Sequence, residues 1–306
     1  MTRPSLVTEN LSKRFGGRWA LKGLSFAVEP GSVTLLAGRN GAGKTTWMRL
    51  ATGLAHPTSG AVRLGGKPAG LVRPRLAAVF DDAPVYPLLT GEENLYLLSG
   101  GRSPRTAEAR AVIAGLDLEP LLPGRADGFS FGQRKRLAVA AALLRRPTWL
   151  LLDEPSVGLD SGAWGLVSRA LRKLAAEGAT IVVTGQDLKH LEELADGIVV
   201  IRDGAATFAG SLEQLRQSHP PRVTVRTRHP DRVRTLFPQA RVVASQPTPC
   251  VEIPCATMAE GEAVLAQIRS LDIPLHSLEL RAATLEETFR RLGLYAEETN
   301  REEVAQ

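Results

Sequence analysis

A chain of 306 residues with 43% hydrophobic and 23% charged residues has the composition of a folded globular protein, with room for one large domain and a smaller one. The net charge of +6 comes from scattered basic residues, without a Lys/Arg block or a basic strand interleaved with aromatics, so a nucleic-acid partner is not expected. Met1 to Pro30 is interrupted by Glu9, Lys13, Arg14, Arg18 and Lys22, so no secretory core is expected there, and no apolar stretch reaches the ~20 residues that span a bilayer.

In chain order, Leu6 to Leu11 and Ala20 to Val28 alternate in polarity around Gly16-Gly17 and predict an antiparallel strand pair. Phe15, just before that turn, either stacks on a flat base or packs in the core; spacing alone leaves both open. Apolar Val33 to Ala37 then leads through Gly38-Arg39-Asn40-Gly41-Ala42-Gly43-Lys44-Thr45 into a helix-compatible run from Thr46. A strand, a glycine-rich turn and a helix start form a P-loop. Successive backbone N–H groups, the positive end of a helix dipole and the Lys44 ammonium all converge on a polyphosphate. The three glycines allow the backbone to approach closely, and the Thr45 hydroxyl suits a Mg²⁺ that bridges the terminal phosphates.

His56-Pro57-Thr58-Ser59-Gly60 reads as a turn, with His56 a turn residue, and Ala61 to Leu64 as a short strand. Ala77 to Phe80 predicts a buried strand ending at Asp81-Asp82. From about Thr90 to Leu144 the apolar residues fall at helical spacing, with breaks at Gly100-Gly101 and Leu122-Pro123-Gly124. Trp149 to Leu152 is a continuous apolar run ending in Asp153-Glu154-Pro155. Such a strand belongs in a parallel sheet covered on both faces, and ligands sit at the carboxyl ends of these strands. Ile181 to Val183 and Ile198 to Ile201 repeat the type, with Trp164 to Ala176 as a crossover helix. The core is α/β. At that strand end Asp153 is placed to hold Mg²⁺ through its water shell, and Glu154 to orient or deprotonate an attacking water.

Ser218-His219-Pro220-Pro221 marks a linker. Beyond it come a strand (Val223 to Thr227), helix (Pro230 to Phe237), strands (Ala240 to Ser245 and Val251 to Pro254), helix (Met258 to Leu271), strand (Leu275 to Arg281) and a last helix from Leu285. The βαββαβ order is that of a ferredoxin-like α+β module. Cys250 and Cys255 fall on opposite faces of an extended segment and predict neither a disulfide nor a metal pair.

Between the P-loop and the carboxylates stands Phe129-Ser130-Phe131-Gly132-Gln133, followed by a helix opening at Arg134-Lys135-Arg136. A serine and a glycine at a helix N-terminus make a second anion-binding surface. With Gly158-Leu159-Asp160 after the carboxylates, this serial order resembles the nucleotide-binding subunit of an ATP-binding cassette (ABC) transporter. The resemblance covers about residues 4 to 215 and implies a RecA-like P-loop NTPase core with an N-terminal antiparallel β part and a helical subdomain near 88–146. The ATPase domain is then 1–218, the accessory domain 219–296 and a charged tail 297–306.

The resemblance also implies a mechanism. ATP with Mg²⁺ lies on Gly38, Arg39, Asn40, Gly41, Ala42, Gly43, Lys44, Thr45 and Thr46, with Phe15 against adenine. A second nucleotide-binding subunit, from a homodimer or a similar chain, presents its signature Ser130, Phe131, Gly132 and Gln133 in trans. Gly158-Leu159-Asp160 is the D-loop. Three residues depart from the family pattern. Asp81 stands in place of a glutamine and is expected at Mg²⁺ with Thr45 and Asp153. Gln186 stands in place of a histidine and reaches the γ-phosphate without taking up charge, and Phe131 replaces a glycine. Catalysis is assigned to Glu154, Lys44 and Gln186, with slow turnover.

Thr284-Leu285-Glu286-Glu287-Thr288-Phe289-Arg290-Arg291-Leu292 resembles the end of the accessory domain on ATPases of the ABC-2 export group. This implies export through a separate transmembrane permease, from a peripheral position on the cytoplasmic face of the cell membrane. The alternatives are a nearly inactive regulatory subunit and a soluble ABC ATPase without a permease. The second class carries two cassettes in one chain or a long coiled coil within the cassette, and this sequence has neither.

Overall fold

Every residue of β3 (Val33–Ala37) is buried, so this strand requires protein on both of its faces. The computed structural model, which describes residues 5–185, 191, 193–217, 221–244, 248–271, 273–281 and 288, sets it inside a six-stranded sheet. The chain divides into two compact units, Met1–Ser211 and Leu212–Gln306.

The first unit opens with β1 (Leu6–Phe15) and β2 (Arg18–Val28), paired antiparallel. Both run past the expected stretches because register shifts after Thr8 and Leu11 let the ladder continue where polarity ceases to alternate. Asn10 takes φ +44° at one of these shifts, and its N–H donates to Ser25 Oγ at 2.9 Å. After β3, α1 (Lys44–Ala51) is followed by β4 (Ser59–Leu64), β5 (Lys67–Pro68) and α2 (Ala69–Val72). The antiparallel sheet has the order β2-β1-β4-β5. Trp47 of α1 is fully buried, donates its indole N–H to Thr8 Oγ1 at 3.0 Å and lies 5.4 Å from the Phe26 ring, so one aromatic ties the P-loop helix to this sheet.

Next come β6 (Leu76–Val79), α3 (Gly91–Leu98), α4 (Ala107–Gly115), α5 (Phe131–Leu144), β7 (Trp149–Leu152), α6 (Ser161–Ala176), β8 (Thr180–Gly185), β9 (Gly197–Arg202) and β10 (Ala205–Ser211). The helical stretch breaks at Gly100-Gly101, both at φ +81°, as expected, and again in 3₁₀ turns at Glu119–Leu121 and Ala126–Gly128. Thr90 and Glu93 form a capping box that starts α3, and buried Asn94 binds the backbone of Tyr86 and Leu89, which fixes the entry into these helices. The second sheet runs β10-β9-β3-β8-β7-β6, parallel except for β10. The edge strand β10 escaped the sequence reading because its small residues carry little apolar signal.

The second unit begins with the short helix Leu212–Gln217. Strands β11 (Arg222–Thr227), β12 (Arg241–Ala244), β13 (Cys250–Pro254) and β14 (Leu275–Arg281) form an antiparallel sheet ordered β12-β13-β11-β14. Helices Pro230–Leu236 and Met258–Ser270 complete the expected βαββαβ order. Val223, Val225, Val251, Ile253, Val264 and Ile268 build its core. Cys250 and Cys255 are free thiols, both buried. The expected last helix from Leu285 lies outside the described residues, apart from buried Thr288, as does the tail from Glu297.

Candidate functional site

The turn between β3 and α1 is seated against neighbouring backbone so closely that two of its glycines leave no room for a side chain. A Cβ at Gly38 would fall 2.6 Å from the Ile201 carbonyl oxygen, and one at Gly43 would fall 2.7 Å from that of Ala20. Gly43, at φ +112°, is also the N-cap of α1 and brings no side chain to its first turn. The N–H groups that open α1 therefore face the cradle with the helix dipole behind them. Buried Lys44 curls back so that Nζ donates to the Gly38 carbonyl at 2.7 Å.

Two carboxylates at the end of β7 meet this helix start. Asp153, 3% exposed, accepts from Thr45 Oγ1 at 2.9 Å through Oδ2 and from Thr184 Oγ1 through Oδ1. Thr184 also accepts the Glu154 N–H at 3.1 Å. Sequence reasoning passed over Thr184, although its place on a buried strand of the same sheet, just before Gly185 and Gln186, was available as a signal. Glu154 holds φ +47°, a conformation a glutamate adopts only when its surroundings impose it. Its Oε1 lies 3.4 Å from Lys44 Nζ, while Oε2 is buried without a hydrogen bond to any described residue. A threonine hydroxyl beside a carboxylate is a hard oxygen donor set, which fits Mg²⁺. Gln186 lies outside the described residues.

Asp81 shares a cation with the backbone of Glu154, whose carbonyl accepts from Lys135 Nζ at 2.6 Å. Asp81 Oδ1 accepts from Lys135 Nζ at 2.8 Å, so the expectation that it faces the metal with Thr45 and Asp153 meets a competing cation. No group of three or more His, Cys, Asp or Glu able to hold a metal occurs among the described residues.

Ser130 caps α5 and forms a capping box with Gln133: Gln133 N–H donates to Ser130 Oγ at 3.2 Å and Ser130 N–H to Gln133 Oε1 at 2.8 Å. Phe131 packs over Gly158, at φ +78°, where any side chain would collide with its ring. A Cβ on Gly132 would sit 2.6 Å from the Gly158 carbonyl oxygen and 3.3 Å from Leu159. Asp160 caps α6 by accepting Ala163 N–H at 2.7 Å. The substitution of Phe131 for glycine is thus accommodated by a bare backbone opposite it.

Phe15 is 53% exposed with Lys13 Nζ 4.9 Å from its ring centroid, which removes the core reading. A second exposed aromatic, Trp19, was missed. It lines a cavity of about 240 Å³ with Arg18, Lys22, Gly41 and Asp203, so the end of the hairpin abuts the P-loop.

A family model described as ABC transporter matches residues 21–157. The Nod factor export ATP-binding protein I of Burkholderia orbicola is 37% identical over 217 residues, covering 68% of this chain and 71% of the relative. The chain belongs to the ABC transporter family. Another ABC relative, the daunorubicin resistance ATP-binding protein DrrA3 of Streptomyces coeruleorubidus, is 30% identical over 306 residues, covering 95% and 96% of the two chains. The Fe(3+) ions import ATP-binding protein FbpC of Brucella melitensis is 38% identical over 71% of this chain and 64% of its own length. Solved ABC structures agree. An ATP-binding subunit of an ABC transporter superposes with a TM-score of 0.64 at 27% identity, over 70% of this chain and 92% of that one. A dimeric ATP-binding cassette in a post-hydrolysis state, bound to ADP and Pi, gives 0.61 at 27%, over 68% and 98%. This ABC protein is an ATP-binding subunit with export-named and import-named relatives, and among its described residues no helix is long and apolar enough to cross a membrane. The family match holds the P-loop, the signature and Asp153-Glu154; Phe15 and Gly158-Leu159-Asp160 lie outside it.

Proposed function

We propose that this chain is the ATP-hydrolysing motor of an exporter, binding MgATP, pairing with a second nucleotide-binding subunit and driving a separate transmembrane permease from the cytoplasmic face of the membrane. Glu154 carries the hydrolytic reading: one carboxylate oxygen lies 3.4 Å from Lys44 Nζ, and the other is buried and unpartnered among the described residues, beside the Thr45–Asp153 pair. A buried acceptor without a donor is costly unless a ligand or water completes it.

In this reading the N–H groups of Gly38 to Thr46 and the Lys44 ammonium receive the β- and γ-phosphate oxygens, and Phe15 stacks on adenine. Thr45 and Asp153 hold Mg²⁺, which when bound neutralises charge on the phosphate oxygens. Glu154 Oε2 takes a proton from a water whose oxygen attacks the γ-phosphorus. The bond from that phosphorus to the β–γ bridging oxygen breaks, leaving ADP and phosphate. Gln186 hydrogen-bonds the γ-phosphate, and the first turn of α5 from the second subunit, with Ser130, Gly132 and Gln133, closes over it.

Support for export comes from the Nod factor export relative, 37% identical over 68% of this chain; the daunorubicin resistance relative aligns nearly end to end and takes in the second unit, whereas the iron-import relative aligns over 71% of this chain. Tyr86, Leu88, Tyr96 and Leu97 are exposed in and beside the start of the helical stretch, the region where this reading docks a permease helix. Asp81 and Gln186 favour a second reading, a slow regulatory subunit, since the Asp81 carboxylate has no amide hydrogen to give an attacking water and the Gln186 amide cannot accept a proton charge.

The test is phosphate release by the purified chain at saturating MgATP, alone and with membrane proteins that copurify. A wild-type rate about 100-fold above that of Glu154→Gln is expected from the loss of a general base. Equal rates would leave the regulatory reading, and recovery without any membrane protein would leave a soluble ATPase.

A further inference from the structure

Lys135 is buried to 0% exposure, the least favourable place for an ammonium unless its charge is compensated. Three groups compensate it: the Asp81 carboxylate at 2.8 Å, the main-chain carbonyl of Glu154 at 2.6 Å and the Phe131 ring, 5.1 Å from Nζ to centroid. These belong to three segments, namely the turn after β6, the end of β7 and the first turn of α5. Phe131, four residues before Lys135 on the same helix face, is itself seated on Gly158.

We propose that Lys135 is a positioning residue for the hydrolytic centre, and that Asp81 works by holding the Lys135 ammonium against the Glu154 carbonyl rather than by ligating the metal. Glu154 holds a left-handed backbone at φ +47°, and each of its two flanking peptide groups is held by a side chain. Its N–H donates to Thr184 Oγ1 at 3.1 Å, and its C=O accepts from Lys135 at 2.6 Å. That double grip aims the side chain so that Oε1 stands 3.4 Å from Lys44. Without the ammonium the carbonyl loses its partner and the unfavourable backbone its restraint, and the carboxylate turns away from the phosphate site. Because Lys135 sits one turn beyond Ser130–Gln133, the same contact couples the start of α5 to the attacking-water position.

The inference rests on the hydrolytic reading and is tested on the full chain with Asp81→Ala, Asp81→Asn, Lys135→Met and the double variant. The Asp81 side chain is 53% exposed, so its replacement opens no cavity. Because Asp81→Ala leaves the Lys135 ammonium without its carboxylate, the Tm of each variant is measured beside its turnover, and Asp81→Asn, which keeps an acceptor, carries the test even if Lys135→Met does not fold. Turnover, affinity for a fluorescent ATP analogue and the half-saturating Mg²⁺ concentration are measured together. Misplacing the base predicts that Asp81→Ala lowers kcat about 10-fold or more with analogue affinity within about twofold. Asp81→Asn, whose amide oxygen still accepts from Lys135, retains most of the rate, and the double variant is no slower than the slower single variant. Half-saturating Mg²⁺ stays unchanged. A wild-type kcat in Asp81→Ala, additive losses, or a loss recovered by raising Mg²⁺ would each overturn the latch while leaving Glu154-dependent hydrolysis standing. A wild-type rate no higher than that of Glu154→Gln would overturn the hydrolytic reading, and the latch with it.

Discussion

Thr45 Oγ1 donates to Asp153 Oδ2 across 2.9 Å, although 108 positions of chain separate the two residues. The contact joins the first turn of the P-loop helix to the end of β7 and places two hard oxygens at one point. Thr45→Val, which keeps the shape and removes the hydroxyl, is expected to raise half-saturating Mg²⁺ about tenfold, equivalent to ~1.4 kcal/mol. A Mg²⁺ titration of turnover, set beside ATP-analogue binding in chelator, separates metal from nucleotide; an unchanged titration removes Thr45 from the metal site.

Lys44 is buried with Nζ on a P-loop carbonyl, so the ammonium already stands at the cradle. Charge-assisted hydrogen bonds contribute ~1.5–3 kcal/mol, so Lys44→Ala is expected to weaken ATP binding by about 10- to 100-fold. Isothermal titration calorimetry reads this directly. Undiminished affinity would locate the triphosphate elsewhere.

Phe15 stands clear of the core, where a base can lie on it. Stacking contributes ~1–3 kcal/mol per base, so Phe15→Ala should lower ATP affinity about 10-fold. Competition by inorganic tripolyphosphate, which has no base, should be unaffected. Equal losses for both ligands would point to a phosphate-side or folding effect instead.

Gly158 carries φ +78° beneath the Phe131 ring, so Gly158→Ala meets both a strained backbone and a collision. A loss of ~1–3 kcal/mol is expected for the backbone alone, visible as a lowered Tm. Combining Gly158→Ala with Phe131→Gly removes the collision and should recover part of the loss; no recovery would show that the ring does not press on this position.

Burial pushes the thiols of both Cys250 and Cys255 above their ordinary range. A raised pKa in the folded state favours the neutral thiol, so this contribution is complete below the unfolded thiol pKa and fades as pH rises through and beyond it. Chemical denaturation of the second unit should therefore show falling stability above about pH 8.5. Both thiols should resist alkylation at pH 8 until denaturant is added. Rapid labelling of the native chain would contradict their burial.

The P-loop, the apolar strand before Asp153-Glu154, the capped start of α5 and the βαββαβ order of the second unit were all legible in the sequence. Each is a contiguous run whose effect is local: glycines that permit left-handed or crowded backbone, a dipole and its caps, or a period that assigns faces. What the sequence could not supply was which distant side chains would meet. Asp81 and Lys135 are 54 positions apart, and Asp153 and Thr184 are 31 apart. No periodicity links either pair, because sheet order β3-β8-β7-β6 and the seating of α5 bring them together. The family resemblance put Asp81 at the metal, and its residue type could not say more, since a carboxylate serves a divalent cation and an ammonium equally well. Packing buries a lysine within 2.8 Å of Asp81, where desolvation obliges its charge to find a partner, and that contact is the basis of the proposed latch.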